Sequence, residues 1–140
     1  MRVAGAITKT GKWWAVEIPL LDLQTQGATK AEAYEMAKDV VETMVNKKGF
    51  EVTVIPVGVH DFIVDTPDTR ALMAFTLERR RLAKGLTTVD VAKLIGESSP
   101  TGYVRYEKGQ VQPSVEKFFR ILKAIDTENE PVLTLMKVSS

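Results

Sequence analysis

The sequence predicts an α+β chain in two parts: a small N-terminal β-sheet with one packed helix, then an all-α domain of four to five helices and a short C-terminal strand. Three observations predict this. Residues 1–65 alternate with a period of two around a single stretch of helical periodicity. From Arg70 onward the apolar spacing is three and four, interrupted at Gly85, Gly96 and Gly109. Between the two lies Asp65-Thr66-Pro67-Asp68-Thr69, where Pro67 disfavours helix at Thr66 and Asp68 or Thr69 can cap the helix that starts at Arg70. The expected boundaries are a domain over 1–65, a linker at 66–69, a helical domain over 70–128 and a tail over 129–140.

In the first part, Val3, Gly5 and Ile7 begin a strand, Thr10-Gly11-Lys12 makes a turn, and Trp13 to Ile18 runs back as a second strand. Pro19 ends or edges that strand. Trp13 and Trp14 are adjacent, so they point to opposite faces. An exposed one would suit an interface. After a connection broken at Gly27, Thr29 and Glu32 form a capping-box pattern. Ala33, Met36, Ala37, Val40, Val41 and Met44 then give a helix one apolar face, and Gly49 is placed to end it. Phe50 to Val57 and His60 to Val64 read as two further strands.

The second part opens with a helix from Arg70 to Ala83, with Leu72, Phe75, Arg79 and Leu82 on or near one stripe and Glu78, Arg80 and Arg81 off it. Thr87 and Asp90 cap the next helix, which is expected to bury Val91, Leu94 and Ile95 and stop at Gly96. Ser99 precedes a proline at the first helical position, and that third helix runs from Pro100 to about Lys108. Pro113-Ser114 opens a fourth, burying Val115, Phe118, Phe119, Leu122 and Ile125. In the tail, Pro131 to Val138 alternates as a strand without a partner in a helical domain, an exposed edge that pairing with a second copy, or return to the N-terminal sheet, would protect.

Composition narrows the function. The 140-residue chain is 44% hydrophobic and 26% charged, the balance of a soluble globular protein. It has no cysteine, which excludes disulfides, thiolate metal sites and cysteine catalysis. No apolar run approaches the roughly 20 residues of a membrane span. The N-terminus also lacks the apolar segment of a signal peptide. A cytoplasmic location and no membrane partner are expected. The net charge of +1 is unevenly spread: 7 Lys and Arg against 10 Asp and Glu in residues 1–69, 11 against 5 in 70–125, and 1 against 3 from 126 on. Only the basic part is suited to a polyanion.

Nothing in the spacing assembles a catalytic set. Glu17, Asp22, Glu51, Asp61 and Asp65 are the carboxylates a two-metal nuclease site would draw on, but no pattern converges them. His60 is the only histidine and has no placed serine or second ligand. The reading is a non-enzyme with no cofactor and no metal.

Leu86-Thr87, Val91-Ala92, Ile95-Gly96, Tyr103, Arg105-Tyr106-Glu107-Lys108-Gly109 and Pro113-Ser114 resemble the helix-turn-helix of phage-repressor (Xre-like) type, over residues 70–125. Thr88 stands where glutamine is common in that family, and the turn Gly96-Glu97-Ser98-Ser99 is one residue longer than usual. The resemblance implies that the third helix enters the DNA major groove. Tyr103 and Tyr106, three apart, are then expected to face inward, with Thr101, Gly102, Arg105 and Lys108 opposite. Arg105 suits a bidentate contact to guanine O6 and N7, worth about 1–3 kcal/mol of discrimination. A surface salt bridge is its competing role. Thr101 suits a base edge or thymine methyl, and Thr88 a phosphate. Lys108 and Gln110 lie near the DNA backbone, and Ser99, opening the helix, completes the expected DNA-binding set.

Residues Gly11-Lys12-Trp13-Trp14-Ala15-Val16, Ile18-Pro19, and Thr25-Gln26-Gly27-Ala28-Thr29 running into Ala31-Glu32-Ala33 and Ala37-Lys38 resemble the N-terminal domain of HicB-type antitoxins. That resemblance implies a degenerate ribonuclease-H-like unit without nuclease activity, which masks a HicA-like RNA-cleaving toxin. The helix-turn-helix would bind the operator of its own operon as a homodimer or higher homo-oligomer. The alternative is a helix-turn-helix transcriptional regulator whose N-terminal domain senses a small ligand.

Overall fold

A computed structural model describes residues 1–138. The chain divides into two compact units, one formed by Met1–Thr69 with residues 135–138, the other by Arg70–Thr134. The α+β organisation expected from the sequence is present. No helix among the described residues is long and apolar enough to cross a membrane.

The first unit runs β1 (Arg2–Thr10), β2 (Trp13–Ile18), a 3-10 turn (Pro19–Leu21), β3 (Leu23–Gly27), α1 (Lys30–Val45), β4 (Thr53–Val57) and β5 (Asp61–Asp65). The strands form one sheet in the order β3-β2-β1-β5-β4, antiparallel at every pairing. Register sets Val3, Gly5, Ile7, Val16, Ile18, Phe62 and Val64 on one face, and all are buried. The helix α1 turns Ala33, Ala37 and Val41 inward. Two glycines permit the close fit. A Cβ on Gly27 would lie 2.4 Å from the backbone nitrogen of Ala33, and one on Gly5 would lie 2.2 Å from the ring of Phe62.

Thr29 caps α1, accepting from the Glu32 N–H at 3.1 Å, the first half of the expected capping box; among the described residues the return bond to the Glu32 side chain is not formed. The helix ends earlier than its sequence suggests. Asn46, at φ 49°, takes the left-handed position and donates to the Glu42 carbonyl, so Gly49 lies outside the cap. Met44, in this last turn, is exposed. The strand expected from Phe50 starts only at Thr53, and side chains account for this. The Val52 N–H donates to Glu42 Oε2 at 2.9 Å, and its carbonyl accepts from Lys38 Nζ at 3.2 Å, so neither is free for a ladder. Lys38 and Glu42 are themselves paired at 2.6 Å, which holds the Glu42 carboxyl below its ordinary pKa. The expected hinge at 66–69 is tied down at one end. The N-terminal amine donates to the Thr66 carbonyl and to Thr69 Oγ1, the Thr66 hydroxyl donates to the Glu51 carbonyl, and Lys47 pairs with Asp68.

The second unit is built from α2 (Thr69–Ala83), α3 (Thr88–Leu94), α4 (Thr101–Glu107) and α5 (Val115–Ile125). The first three of these helices stop the same way. Gly85, Gly96 and Gly109 each adopt positive φ, their N–H groups bond to Leu82, Lys93 and Tyr106, and the following N–H groups bond to Arg81, Ala92 and Arg105. This is the Schellman pattern, for which glycine has no steric penalty. Thr87 and Asp90 form the full capping box of α3, and Ser114 caps α5 by accepting from the Lys117 N–H. Leu72, Leu77, Val91, Tyr103, Phe118 and Ile121 are buried, together with Leu122 and Ile125.

Several expected core positions lie outside. Leu94 is 52% and Val115 57% exposed, Leu82 is also exposed, and Phe119 is half-buried. On the short α3 the inward arc runs from Val91 through Ile95 to Ala92, at 3.6 residues per turn, and leaves Leu94 beyond it. Among the described residues the expected C-terminal strand is not formed. Residues 128–138 carry no strand, and Leu133 and Leu135 are open to solvent. A strand needs a partner for its backbone groups, and the sheet of the first unit includes none from the tail.

Candidate nucleic-acid interface

The helix α4 is fixed from its ends and from one face. Pro100 already has helical dihedrals (φ −73°, ψ −8°), and the Thr101 N–H donates to Ser99 Oγ at 3.3 Å. Ser99 thus closes the first turn by its side chain, although the helix begins one residue later than expected. The hydroxyls of Ser99 and Thr101 are 2.9 Å apart and bonded to each other. Tyr103 is fully buried, and burial raises its phenol pKa well above the ordinary value. Tyr106 is only half-buried, so the inward anchor is one ring, with the second at the margin.

The other end of α4 is clamped by a pair not foreseen in the sequence. Arg81, near the end of α2, places Nε 3.1 and 2.9 Å from the two carboxylate oxygens of Glu107 and Nη2 2.5 Å from Oε1. Its remaining nitrogen donates to the Leu86 carbonyl at 2.9 Å. The two side chains are 15% and 8% exposed. This two-pronged geometry matches the guanidinium fork to a carboxylate. The hydrogen bonds that Arg81 donates to Glu107, with that carboxylate's charge, raise the Arg81 pKa further.

Most of the expected DNA-contacting residues share an outward surface. Ser99, Thr101, Gly102, Arg105, Lys108 and Gln110 are exposed, and Thr88 is half-buried at the start of α3. The competing role for Arg105 finds no support, because among the described residues no acid pairs with its guanidinium. Gly102 has a neighbour that its sequence did not reveal. A Cβ there would lie 3.2 Å from Glu97 Oε2, and Glu97 is held at 3.5 Å by Lys117 from α5. Glycine at this position leaves room for that carboxylate beside the outward surface.

A second unforeseen cluster closes α5. Asp126 is buried, accepts from the Asn129 side chain at 2.7 Å and the Glu128 N–H at 3.0 Å, and pairs with Arg80 at 2.7 Å and Lys84 at 3.5 Å. The Asn129 bond, then the Glu128 N–H and the Arg80 and Lys84 cations, lower its pKa from 3.8 to about 2. A carboxylate depressed on folding contributes stability in full above its unfolded pKa and loses it as the pH falls through the folded value. The second unit is therefore expected to lose stability between about pH 4 and about pH 2. Asp126→Asn is expected to flatten that segment of a urea-midpoint-against-pH curve. An unchanged slope in the variant would assign the acid sensitivity to other groups.

The carboxylates weighed for a nuclease stay apart. Asp65 pairs with Arg2 at 3.4 Å, while Glu17, Asp61, Glu51 and His60 are exposed. Among the described residues no three of His, Asp and Glu come together in a way that would hold a metal ion.

Residues 77–128 match the helix-turn-helix family model, a span that takes in the end of α2 and all of α3, α4 and α5. A comparison with curated proteins finds no match. The second unit is thus a helix-turn-helix domain, the DNA-binding kind found in transcriptional regulators.

Proposed function

We propose that this chain is the antitoxin of a type II toxin–antitoxin pair. In this reading its first unit binds and neutralises a HicA-like RNA-cleaving protein, and its second unit represses its own operon as a cytoplasmic homo-oligomer. The DNA half rests on one observation: α4 is sealed at Tyr103 and clamped at Glu107, while Arg105 stands exposed and unpaired beside Thr101. A rigid helix with a free guanidinium is what base readout needs. One helix reads few base pairs, which favours two copies on a symmetric operator. The exposed apolar tail, with Val132, Leu133 and Leu135, is the segment proposed to pair between copies.

The antitoxin half rests on the HicB-like pattern of residues 11–38. Its key positions have physical work here: Gly27 admits the backbone of α1, and Thr29 caps it. Co-expression with the product of the adjacent small open reading frame tests this half, with restored growth as the expected result. Persistent toxicity, or the lack of any toxic neighbour, would remove it.

Gel shifts with the upstream DNA test the other half. Arg105→Ala is expected to weaken specific binding about 10- to 100-fold, the equivalent of one bidentate base contact, with little change for unrelated DNA. Equal losses on both would place Arg105 on phosphate alone.

One observation favours the ligand-sensing alternative. Tyr34, Lys38, Glu51, Thr53 and Thr66 line a groove beside α1, and the Tyr34 hydroxyl is buried without a hydrogen-bond partner. A small-molecule thermal-shift screen in which a hit also alters operator binding would support that reading.

A further inference from the structure

The sheet of the first unit has a second face, turned away from α1. Strand pairing lines Asp61, Ala6, Glu17 and Gln24 in one row across β5, β1, β2 and β3. The next row holds Thr8, Ala15 and Gln26, and beyond it stands Trp13. Asp61, Glu17, Gln24, Thr8 and Gln26 are exposed, and Trp13 is 48% exposed. Between the carboxylates and the indole the floor is low, because Ala6, Thr8 and Ala15 are small. Glu17 and Asp61 flank β1 about 10 Å apart, two strand spacings. Among the described residues neither has an ion pair. The strand β3 is the sheet edge beside this floor, with no further strand outside it among the described residues.

We propose that this face is the docking surface for the cationic, RNA-binding surface of the small protein that the chain neutralises, which rests on the antitoxin reading above. The argument is charge complementarity. A protein that cleaves RNA must attract phosphates, and it does so with Lys and Arg. To mask that surface directly, the antitoxin needs fixed anionic groups at a comparable spacing, and a rigid sheet holds them without a cost in ordering. The first unit supplies this, with 10 acids against 7 bases over residues 1–69 and two unpaired acids on the open floor. Glu17 and Asp61 receive Lys or Arg side chains at the two sides of β1. Gln24 and Gln26 offer amides to the partner's backbone, and Trp13 packs on the apolar part of its surface. The pair forms by electrostatic steering, so association slows as salt rises.

The test uses the full chain and the product of the adjacent small open reading frame, expressed in a catalytically inactive form, with binding followed by calorimetry. The Glu17→Lys, Asp61→Lys double variant is expected to weaken binding by about 100-fold or more, since each site changes from attraction to repulsion. Trp13→Ala is expected to weaken it about tenfold. Glu35→Lys with Asp39→Lys makes the same charge change on exposed positions of α1 and is expected to leave affinity within about threefold. All variants are expected to keep upstream-DNA binding, which shows that they are folded. If the unaltered chain binds the neighbour and the Glu17, Asp61 variant binds equally well, this face is not the docking surface and the antitoxin reading stands. If the α1 control loses as much, overall charge and not this face governs binding, and the inference is again overturned. If the unaltered chain does not bind the neighbour, the antitoxin reading fails and takes this inference with it.

Discussion

Glu107→Ala is expected to cost the helix-turn-helix unit about 3–5 kcal/mol, the loss seen when one partner of a buried ion pair is removed. The cost arises because Arg81 would keep its charge while losing both prongs of its fork in a pocket where it is only 15% exposed. The Leu86 carbonyl alone does not compensate a guanidinium. Small domains have roughly 0.05–0.15 kcal/mol of stability per residue, so a unit of this size would sit at the edge of unfolding. Urea titration followed by circular dichroism reads the loss, and upstream-DNA binding is expected to vanish with it. The double variant Arg81→Leu, Glu107→Met is expected to recover most of the stability, because apolar side chains of similar volume avoid the desolvation of both charges. A single-variant loss below about 1 kcal/mol would mean that water screens the pair as on an open surface.

Gly27→Ala is expected to be the most damaging small change in the first unit. Its added methyl would meet backbone on one side, 2.4 Å from the Ala33 nitrogen and 2.8 Å from its Cα. Backbone cannot rotate away as a side chain can, so α1 must lift from the sheet. That separates Ala33, Ala37 and Val41 from the strands they cover. Overpacking costs typically about 1–3 kcal/mol, and a clash with a helix backbone belongs at or above the upper end. The loss is read from the urea midpoint of the full chain, with the far-ultraviolet signal of the second unit retained. A variant as stable as the parent would show that α1 can slide outward without loss of packing.

Local chemistry was legible in the sequence. The caps at Thr29, Thr87 and Ser114 and the stops at Gly85, Gly96 and Gly109 rest on residues within a few positions of one another, and each forms. The strand order of the first unit was not readable, because it depends on which strands meet after α1. Arg81 and Glu107 lie 26 positions apart, and Arg80 and Asp126 lie 46 apart. No periodicity links such pairs, so both arginines read as surface charges. The errors at Leu94 and Val115 share one cause. Spacing identifies a helix, but the centre of its buried arc is chosen by its neighbours, and neither the two-turn α3 around Leu94 nor the first position of α5 at Val115 fixes that arc from the sequence. For the candidate site, helix geometry sufficed to turn Tyr103 inward and Arg105 outward. The position of Glu97 beside Gly102 depended on the turn, whose length was read but whose path was not.

The residues that hold α4 and those it presents are almost separate sets. Tyr103 and Glu107 bear the cohesion, while Thr101 and Arg105 make no tertiary hydrogen bond or ion pair among the described residues. On the proposed reading of Thr101 and Arg105 as base contacts, mutation rewrites which bases are preferred while the scaffold stays intact. Sister copies of such a module within one genome can diverge to different promoters by a few codon changes and escape cross-talk with each other.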